Sequence, residues 1–518
     1  MKACASRTTT GLGRPRIWPL RCRSYGSLAA LFLFFSSVFS LGKGHHDGTT
    51  PEAVDIGSRL ELFVDEYLVD SMSGVSLQLH RPQLSEPVLK FDADWEGPGN
   101  HYITVFKDED IYRLYYRCVG GGDVPASGEG WLMNTCYAES RDGINWIRPK
   151  LGLVEYNGSK ENNIILTGEE GDWGNPVCNF YAFRDTNPAA LASERYKGVG
   201  GINRGLYALV SADGVHWKPK AEKPMILHSI THKPMINGFD SHNVIFWDPL
   251  LKQYVAYIRD MYLAPGGERV RSVRRSTSTD FANWSYPEWI DMGDAPPNQL
   301  YTFSAIPYFR APHLYLAFPK RFMPFRHSEL PSVYDRLRGK GLSDSVFMVS
   351  RDGLHWKRFL EAFVRPGPDP LNWTDRNNYV ARGLVAAGPN EIAVYVLRHF
   401  RLPSLHLRRG ILRTDGFVSV NAPYQGGEIL TKPRLFKGSR LIVNYSTSAA
   451  GGLRVEILDA EGKPLSGHSL ANSVELYGDK IDQVVSWDKG PEVGKLAGQP
   501  IRLRFLIKDA DLYSFRFQ

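Results

Sequence analysis

Three carboxylates, Asp240, Glu96 and Asp344, stand near cations, imidazoles and a phenol in this sequence. Two carboxyl groups, one giving a proton and one acting as base or nucleophile, are what scission of a glycosidic bond requires. His101, His242, Arg259, Tyr301, Lys320, Arg321, Arg376 and His399 are candidate substrate-binding side chains beside them. Arginine matches carboxylate or sulfate groups through its planar fork, so a carbohydrate that is acidic or sulfated fits this set. Crowded cations also depress neighbouring carboxylates, which favours a base or nucleophile over a proton donor. Each residue has a structural alternative. Asp240 can cap a turn, Glu96 can be a solvated loop acid, and Asp344 can pair with Arg351 or another arginine. Lys320 and Arg321 can line a solvated edge, and His101 and His242 can be satisfied core histidines.

These positions follow from a repeat. Ser-Arg-Asp-Gly-Ile-Asn-Trp starts at Ser140, and close copies start at Ser211 and Ser350. A degenerate copy starts at Ser278, and a weaker one, without its Trp, at Arg413. Successive copies are 71, 67, 72 and 63 residues apart. Asp-Gly suits a tight hairpin turn, and recurrence at near-constant spacing marks a repeat architecture. Apolar, Tyr-rich segments precede the copies at 112–117, 254–259, 313–318 and 391–397, with a poorer version at 206–210. Three strands, the turn and a fourth strand make one propeller blade. The expected fold is therefore all-β: a five-bladed β-propeller over 99–424, then a small C-terminal β-sandwich over 425–518. Residues 41–98 are expected to cap or close the ring.

In such a blade the Asp-Gly turns lie at one end. The other end gathers the starts of first strands, the ends of second strands and the starts of third strands. The candidates above come from those positions, together with Asn100, Asn179, Arg117, Asp260, Arg398 and Asn134, except Glu96, which lies just before the first blade. The loop at 322–343 adds Arg326, His327, Glu329, Arg336 and Arg338. The repeat acids Asp142, Asp213 and Asp352, and the pair Asp65 and Glu66, are read as structural.

The net charge is +7, but Lys2, Arg7, Arg14, Arg16, Arg21 and Arg23 precede residue 41 without any acid. The rest is near neutral, which gives no electrostatic case for nucleic acid. Residues 1–40 read as an export signal: basic start, apolar core at 28–35, then small residues ending at Ser40. A secreted or periplasmic protein with no membrane contact after cleavage is expected, an uncleaved anchor being the alternative. Beyond that leader only Cys118, Cys136 and Cys178 remain. Cys118 and Cys136 lie where a hairpin can pair them, but buried free thiols are the simpler expectation. No Cys/His spacing suggests zinc, and no cofactor is expected, although a divalent cation in the channel is left open.

The run Phe239-Asp240-Ser241-His242-Asn243-Val244-Ile245-Phe246-Trp247, followed by Tyr254 to Tyr257, resembles glycoside hydrolases of the invertase and arabinanase superfamily. The resemblance implies a five-bladed propeller, a C-terminal sandwich and, for Asp240, the family's middle carboxylate, which stabilises the transition state or binds a sugar hydroxyl. The family's nucleophile motif has only a loose echo at Trp95 to Asn100, and its proton-donor motif has no acid at Tyr301 to Pro307. Glu96 or Asp344 is the expected partner of Asp240, with Asp260 and Glu329 as further candidates. Hydrolysis of a poly- or oligosaccharide is the first reading. A lyase using Tyr301 or a histidine, and a non-catalytic carbohydrate-binding propeller, are the others. Oligomeric state is not indicated.

Overall fold

The computed structural model describes residues 53–120, 134–168, 177, 179–202, 205–227, 238–328, 330 and 341–518. Apolar, Tyr-rich segments such as Ile111–Cys118 build the blades from antiparallel strands. Blade one comprises His101–Asp108, Ile111–Cys118, Asn134–Ser140 and Ile164–Leu166 in that order. Blade two starts with Tyr181–Arg184, Tyr196–Gly200 and Gly205–Ser211, and blade three with Val244–Asp248, Gln253–Leu263 and Arg269–Ser278. In blade four the first strand is split into Gln299–Thr302 and Ile306–Tyr308, the second into Ala311–Ala317 and Lys320–Met323. Leu342–Ser350 and Trp356–Val364 follow. Blade five holds Tyr379–Val380 and Val385–Ala386, then Glu391–Arg398 and His406–Arg413. The protein is a five-bladed β-propeller.

The ring closes at two radii. Outside, Gln83–Lys90 supplies the fourth strand of blade five by pairing with His406–Arg413. Inside, Arg382 N donates to Ile103 O and Val105 N donates to Arg382 O, at 2.9 and 2.8 Å. Gly383 permits this approach, since a Cβ there would lie 2.1 Å from Val105 O. Two sequence readings change here. The second strand of blade two is Tyr196–Gly200, and 206–210 belongs to its third strand. Lys197 and two glycines hide the apolar pattern of the true second strand. The copy at Arg413 lacks its Trp because the chain leaves the propeller there: Val418–Ala422 joins the C-terminal sheet.

That sheet rests on Leu441–Asp459 and Ile501–Phe517, with Val54–Gly57, Glu61–Leu62, Val69–Ser73 and Ser76–Leu79 added from the N-terminal side. Phe505 and Phe515 share one strand, yet their rings are 6.1 Å apart. Straight extended chain would separate them by about 33 Å. The strand therefore bends back over a shared core that includes Phe63, Val455 and Trp487, which makes a sandwich. Leu62, Val64 and Phe417 pack with Phe347 and Phe363 of blade four, so sandwich and propeller share a second core.

Cys118 and Cys136 form a disulfide between adjacent strands of blade one. This corrects the free-thiol expectation: Cys136 faces Tyr116, one pleat step from Cys118, and the Cα atoms are 5.9 Å apart, within bridging reach. Cys178 lies outside the described residues.

The repeat turns tie the blades together. Asp142 Oδ1 accepts from the Ile144 and Asn145 amides, both at 2.8 Å, while Gly143 O accepts from Tyr395 of blade five at 2.7 Å. Likewise Tyr115 donates to Gly214 O and Tyr257 to Gly353 O, at 2.8 and 2.9 Å. A Cβ at Gly353 would meet the Tyr257 hydroxyl at 2.7 Å, at φ +79°, whereas Gly462, at φ +85°, has open space. Gly353→Ala should therefore lose about 2–4 kcal/mol in urea unfolding, against about 1 kcal/mol for Gly462→Ala. Equal losses would show that this turn does not dock blade four to blade three.

Candidate functional site

At the end away from the Asp-Gly turns, strand starts and strand ends converge on the channel. His101 and Tyr102 open the first strand of blade one, and Arg117 ends its second. Blade three brings Asp240, His242, Arg259 and Arg271; blade four brings Tyr301 and Lys320; blade five brings Asp375, Arg376 and Arg401. The Tyr102 and Tyr301 hydroxyls are 3.4 Å apart. Lys320 Nζ lies 2.7 Å from His101 Nε2, and 4.5 Å from the Tyr301 ring centre. The guanidinium carbons of Arg271 and Arg376 are each 5.6 Å from the same ring. Arg117 covers Tyr102 at 4.9 Å and reaches Asn179 at 3.4 Å.

A tight turn presents Asp240. Phe239, at φ +71°, donates its amide to Arg259 O, and the Asn243 side chain bonds both Phe239 O and the Arg259 amide. Asp240 Oδ2 then sits 3.1 Å from Arg259 Nη2, with 42% of its side chain exposed against 3% for the arginine. The three guanidinium nitrogens of Arg259 make no hydrogen bond of good geometry among the described residues. Strained backbone recurs at Tyr102, Arg376 and Arg401, with φ of +58°, +57° and +70°. Such conformations persist where surrounding structure enforces them, and they cluster at binding and catalytic sites.

Among the described residues, cations outnumber acids here. Asp240 and Asp375 face Arg117, Arg259, Arg271, Lys320, Arg376 and Arg401, and Asp375 is already held by Arg401 at 2.8 Å. Burial, reinforced by neighbouring cations, holds Arg117, Arg271 and Arg401 below the ordinary arginine pKa. Burial and then the Arg376 charge push Lys320 well below the usual lysine value, and burial and Lys320 do the same to His101. Lys320 donating to a neutral His101 satisfies both. The arrangement is suited to receive an anion, with Asp240 as its accessible carboxylate.

The proposed carboxylate trio is not brought together by any recorded contact. Glu96 is fully buried, accepting from Tyr116 at 2.5 Å, from Arg148 at 2.8 and 3.0 Å and from the Ala93 amide at 2.9 Å. Asp344 is clasped by Arg321 at 2.8 and 2.5 Å across paired strands. Lys320 and Arg321 are successive strand residues, so the lysine enters the channel and the arginine faces the opposite side. Asp260, likewise alternating with Arg259, binds Arg274 at 2.9 Å. His399 binds Asp369 and Ser404 at 2.7 and 2.8 Å. His242 is buried within the channel between Thr104 and Tyr379. Glu329 lies outside the described residues. Tyr102, Arg271, Asp375 and Arg401 were not singled out from sequence. Arg271, near the start of a third strand, obeys the placement rule that yielded Asp344. Among the described residues no group of three or more His, Cys, Asp or Glu is placed to hold a metal ion.

No protein-family model and no curated protein matches the chain. Solved structures do. A glycoside hydrolase has 13% identity and a TM-score of 0.42, covering 67% of this chain and 92% of its own. The catalytic domain of a Coprinopsis cinerea alpha-L-arabinofuranosidase has 12% identity and a TM-score of 0.40, covering 65% and 98%. A Schwanniomyces occidentalis fructofuranosidase, complexed with fructosylnystose, has 10% identity and a TM-score of 0.37, covering 83% and 96%. The likeness is one of fold.

Burial, followed by the Arg382 and Lys320 charges, lowers the His242 pKa to about 3. Below pH 6.5 the unfolded chain binds a proton at this residue that the folded chain refuses, so stability falls on acidification. The loss by pH 4 is on the order of 3 kcal/mol. His242→Gln should flatten that part of the profile, read as urea midpoints at pH 7 and 4; an unchanged pH dependence would reject a neutral buried imidazole.

Proposed function

We propose that the protein is a carbohydrate-active enzyme cleaving glycosidic bonds of a poly- or oligosaccharide that carries carboxylate or sulfate groups. The buried Arg259 guanidinium carries this reading, with Asp240 as its counter-charge in a cluster where cations outnumber acids. Burying a charge without full hydrogen bonding is costly, so an arginine there is accounted for by a ligand that completes it. The anionic group of the sugar would lie on Arg259, Arg271 and Arg376, which fixes the ring beside Asp240. Asp240 would act as nucleophile or base, or stabilise the positive charge developing on the ring. Burial keeps Tyr102 protonated, its pKa raised well above the usual phenol value, so its hydroxyl near Tyr301 can hydrogen-bond a leaving oxygen.

A second reading is favoured by Lys320. A buried amine held well below its ordinary pKa is a competent base. If the arginines neutralise a uronate, the proton on the carbon next to its carboxylate becomes removable. Lys320 takes that proton, the electrons of the broken C–H bond form a carbon–carbon double bond as the C–O bond breaks, and the departing oxygen takes a proton from Tyr301. Export through residues 1–40 is part of the proposal and is supported by the disulfide, since such bonds persist in oxidising compartments. Among the described residues no helix is long and apolar enough to cross a membrane.

The test is a panel of neutral, uronic and sulfated polysaccharides, read for reducing ends and for ultraviolet absorbance. Hydrolysis predicts new reducing ends without absorbance on the anionic members only, with Asp240→Asn losing at least about a hundredfold in turnover. Absorbance would assign elimination, and saturable binding without turnover a binding protein. Arg259→Met should lose the preference for anionic substrates while unfolding at higher urea, because it removes an incompletely paired buried charge. Retained preference in that variant would reject the anion site.

A further inference from the structure

The channel has a second mouth, at the end of the Asp-Gly turns. There the five inner strands surround a cavity of about 670 Å³, within the usual size of small-ligand sites. Phe106, Phe183, Phe246, Trp247, Pro307 and Phe309 form much of its wall. Phe309 is 47% exposed, so part of this aromatic surface meets water. Four lining residues, Lys107, Arg184, Asp185 and Arg382, are charged. Arg382 is 6% exposed, makes no ion pair or side-chain hydrogen bond among the described residues, and lies 5.4 Å from the Tyr181 ring centre. Its position is fixed by the pairing of its backbone with Ile103 and Val105. The other charges at this mouth are committed: Asp185 to Lys197 and Tyr254, Arg184 to Asp108. Lys107 adds positive charge at the rim, and the cluster around Asp240 lies beyond His242 and Tyr379.

We propose that this mouth is a second binding site, for a small organic anion whose carboxylate or sulfate sits on Arg382 and whose apolar body lies against Trp247 and Phe309. An apolar pocket with one buried cation selects such a ligand twice over. A neutral analogue leaves the guanidinium uncompensated, and a purely polar anion leaves the aromatic wall wet. The site is independent of the reaction proposed for the opposite end.

The probe is naphthoate, with its neutral amide as control, titrated into the whole protein by tryptophan fluorescence and calorimetry. One saturable naphthoate site is expected, with the amide at least about tenfold weaker. Arg382→Met should abolish that difference, Phe309→Ala should weaken both ligands, and Arg259→Met should change neither. The Phe309 variant and the acid–amide comparison decide the question if Arg382→Met fails to fold. Absence of naphthoate binding, equal binding of the amide, indifference to Phe309→Ala, or loss in Arg259→Met would each overturn the proposal.

Discussion

A propeller ring holds only if each blade is tied to the next, and here the tie is a tyrosine hydroxyl. Tyr115, Tyr257 and Tyr395 reach forward to the turn carbonyl of the following blade. Tyr196, Tyr254 and Tyr315 reach back to Asp108, Asp185 and Asp248, which end or follow the previous blade's first strand. Each bond joins two buried polar groups, and removing one partner would strand the other at a cost of about 1–3 kcal/mol. All of these bonds lie at the Asp-Gly end. That end is closed around its acids, whereas at the other end cations outnumber acids among the described residues.

The opposite end is built against stability. Buried arginines repel one another, Lys320 is pushed toward neutrality, and Tyr102, Arg376 and Arg401 sit in left-handed backbone conformations. A rigid ring is what makes this tolerable. The strands that present these residues cannot spread to relieve the repulsion, because their far ends are stitched and the ring is closed by Gln83–Lys90 and by the Arg382 bridge. Proteins commonly concentrate strain where function needs it and compensate elsewhere.

How much of this could be read from sequence depends on whether the signal is local. The turn repeat is local: seven residues carry the cap, the positive φ and the packing Trp, so blade number and orientation were legible. That Asp240, Arg259, Tyr301, Lys320 and Arg376 lie at the channel end away from the Asp-Gly turns was legible, because strand starts and ends follow from the turns. Direction within a strand was not. Arg321 and Asp344 face each other away from the channel because a one-residue step reverses the side chain. The burial of Glu96 depends on Arg148, 52 residues away in sequence, which no local pattern reveals. The disulfide depended on a register between neighbouring strands that thiol spacing alone does not give.

Arg382 and Arg259 set the two ends of the channel in one physical frame. Both are buried cations lacking a full set of partners, yet their surroundings differ. Arg259 stands among other cations beside the exposed carboxylate of Asp240, a setting that favours added negative charge. Arg382 stands beside aromatic walls, where negative charge and apolar area are rewarded together and the one lining carboxylate, Asp185, is already bound to Lys197 and Tyr254. Between them His242, hydrogen-bonded to Tyr379 and kept neutral by burial and by the charges of Arg382 and Lys320, separates the two fields. A protonated imidazole there would add a third positive charge along the axis. Its pKa is held down first by burial and then by the cations at both mouths, so charging it on acidification costs folded-state stability.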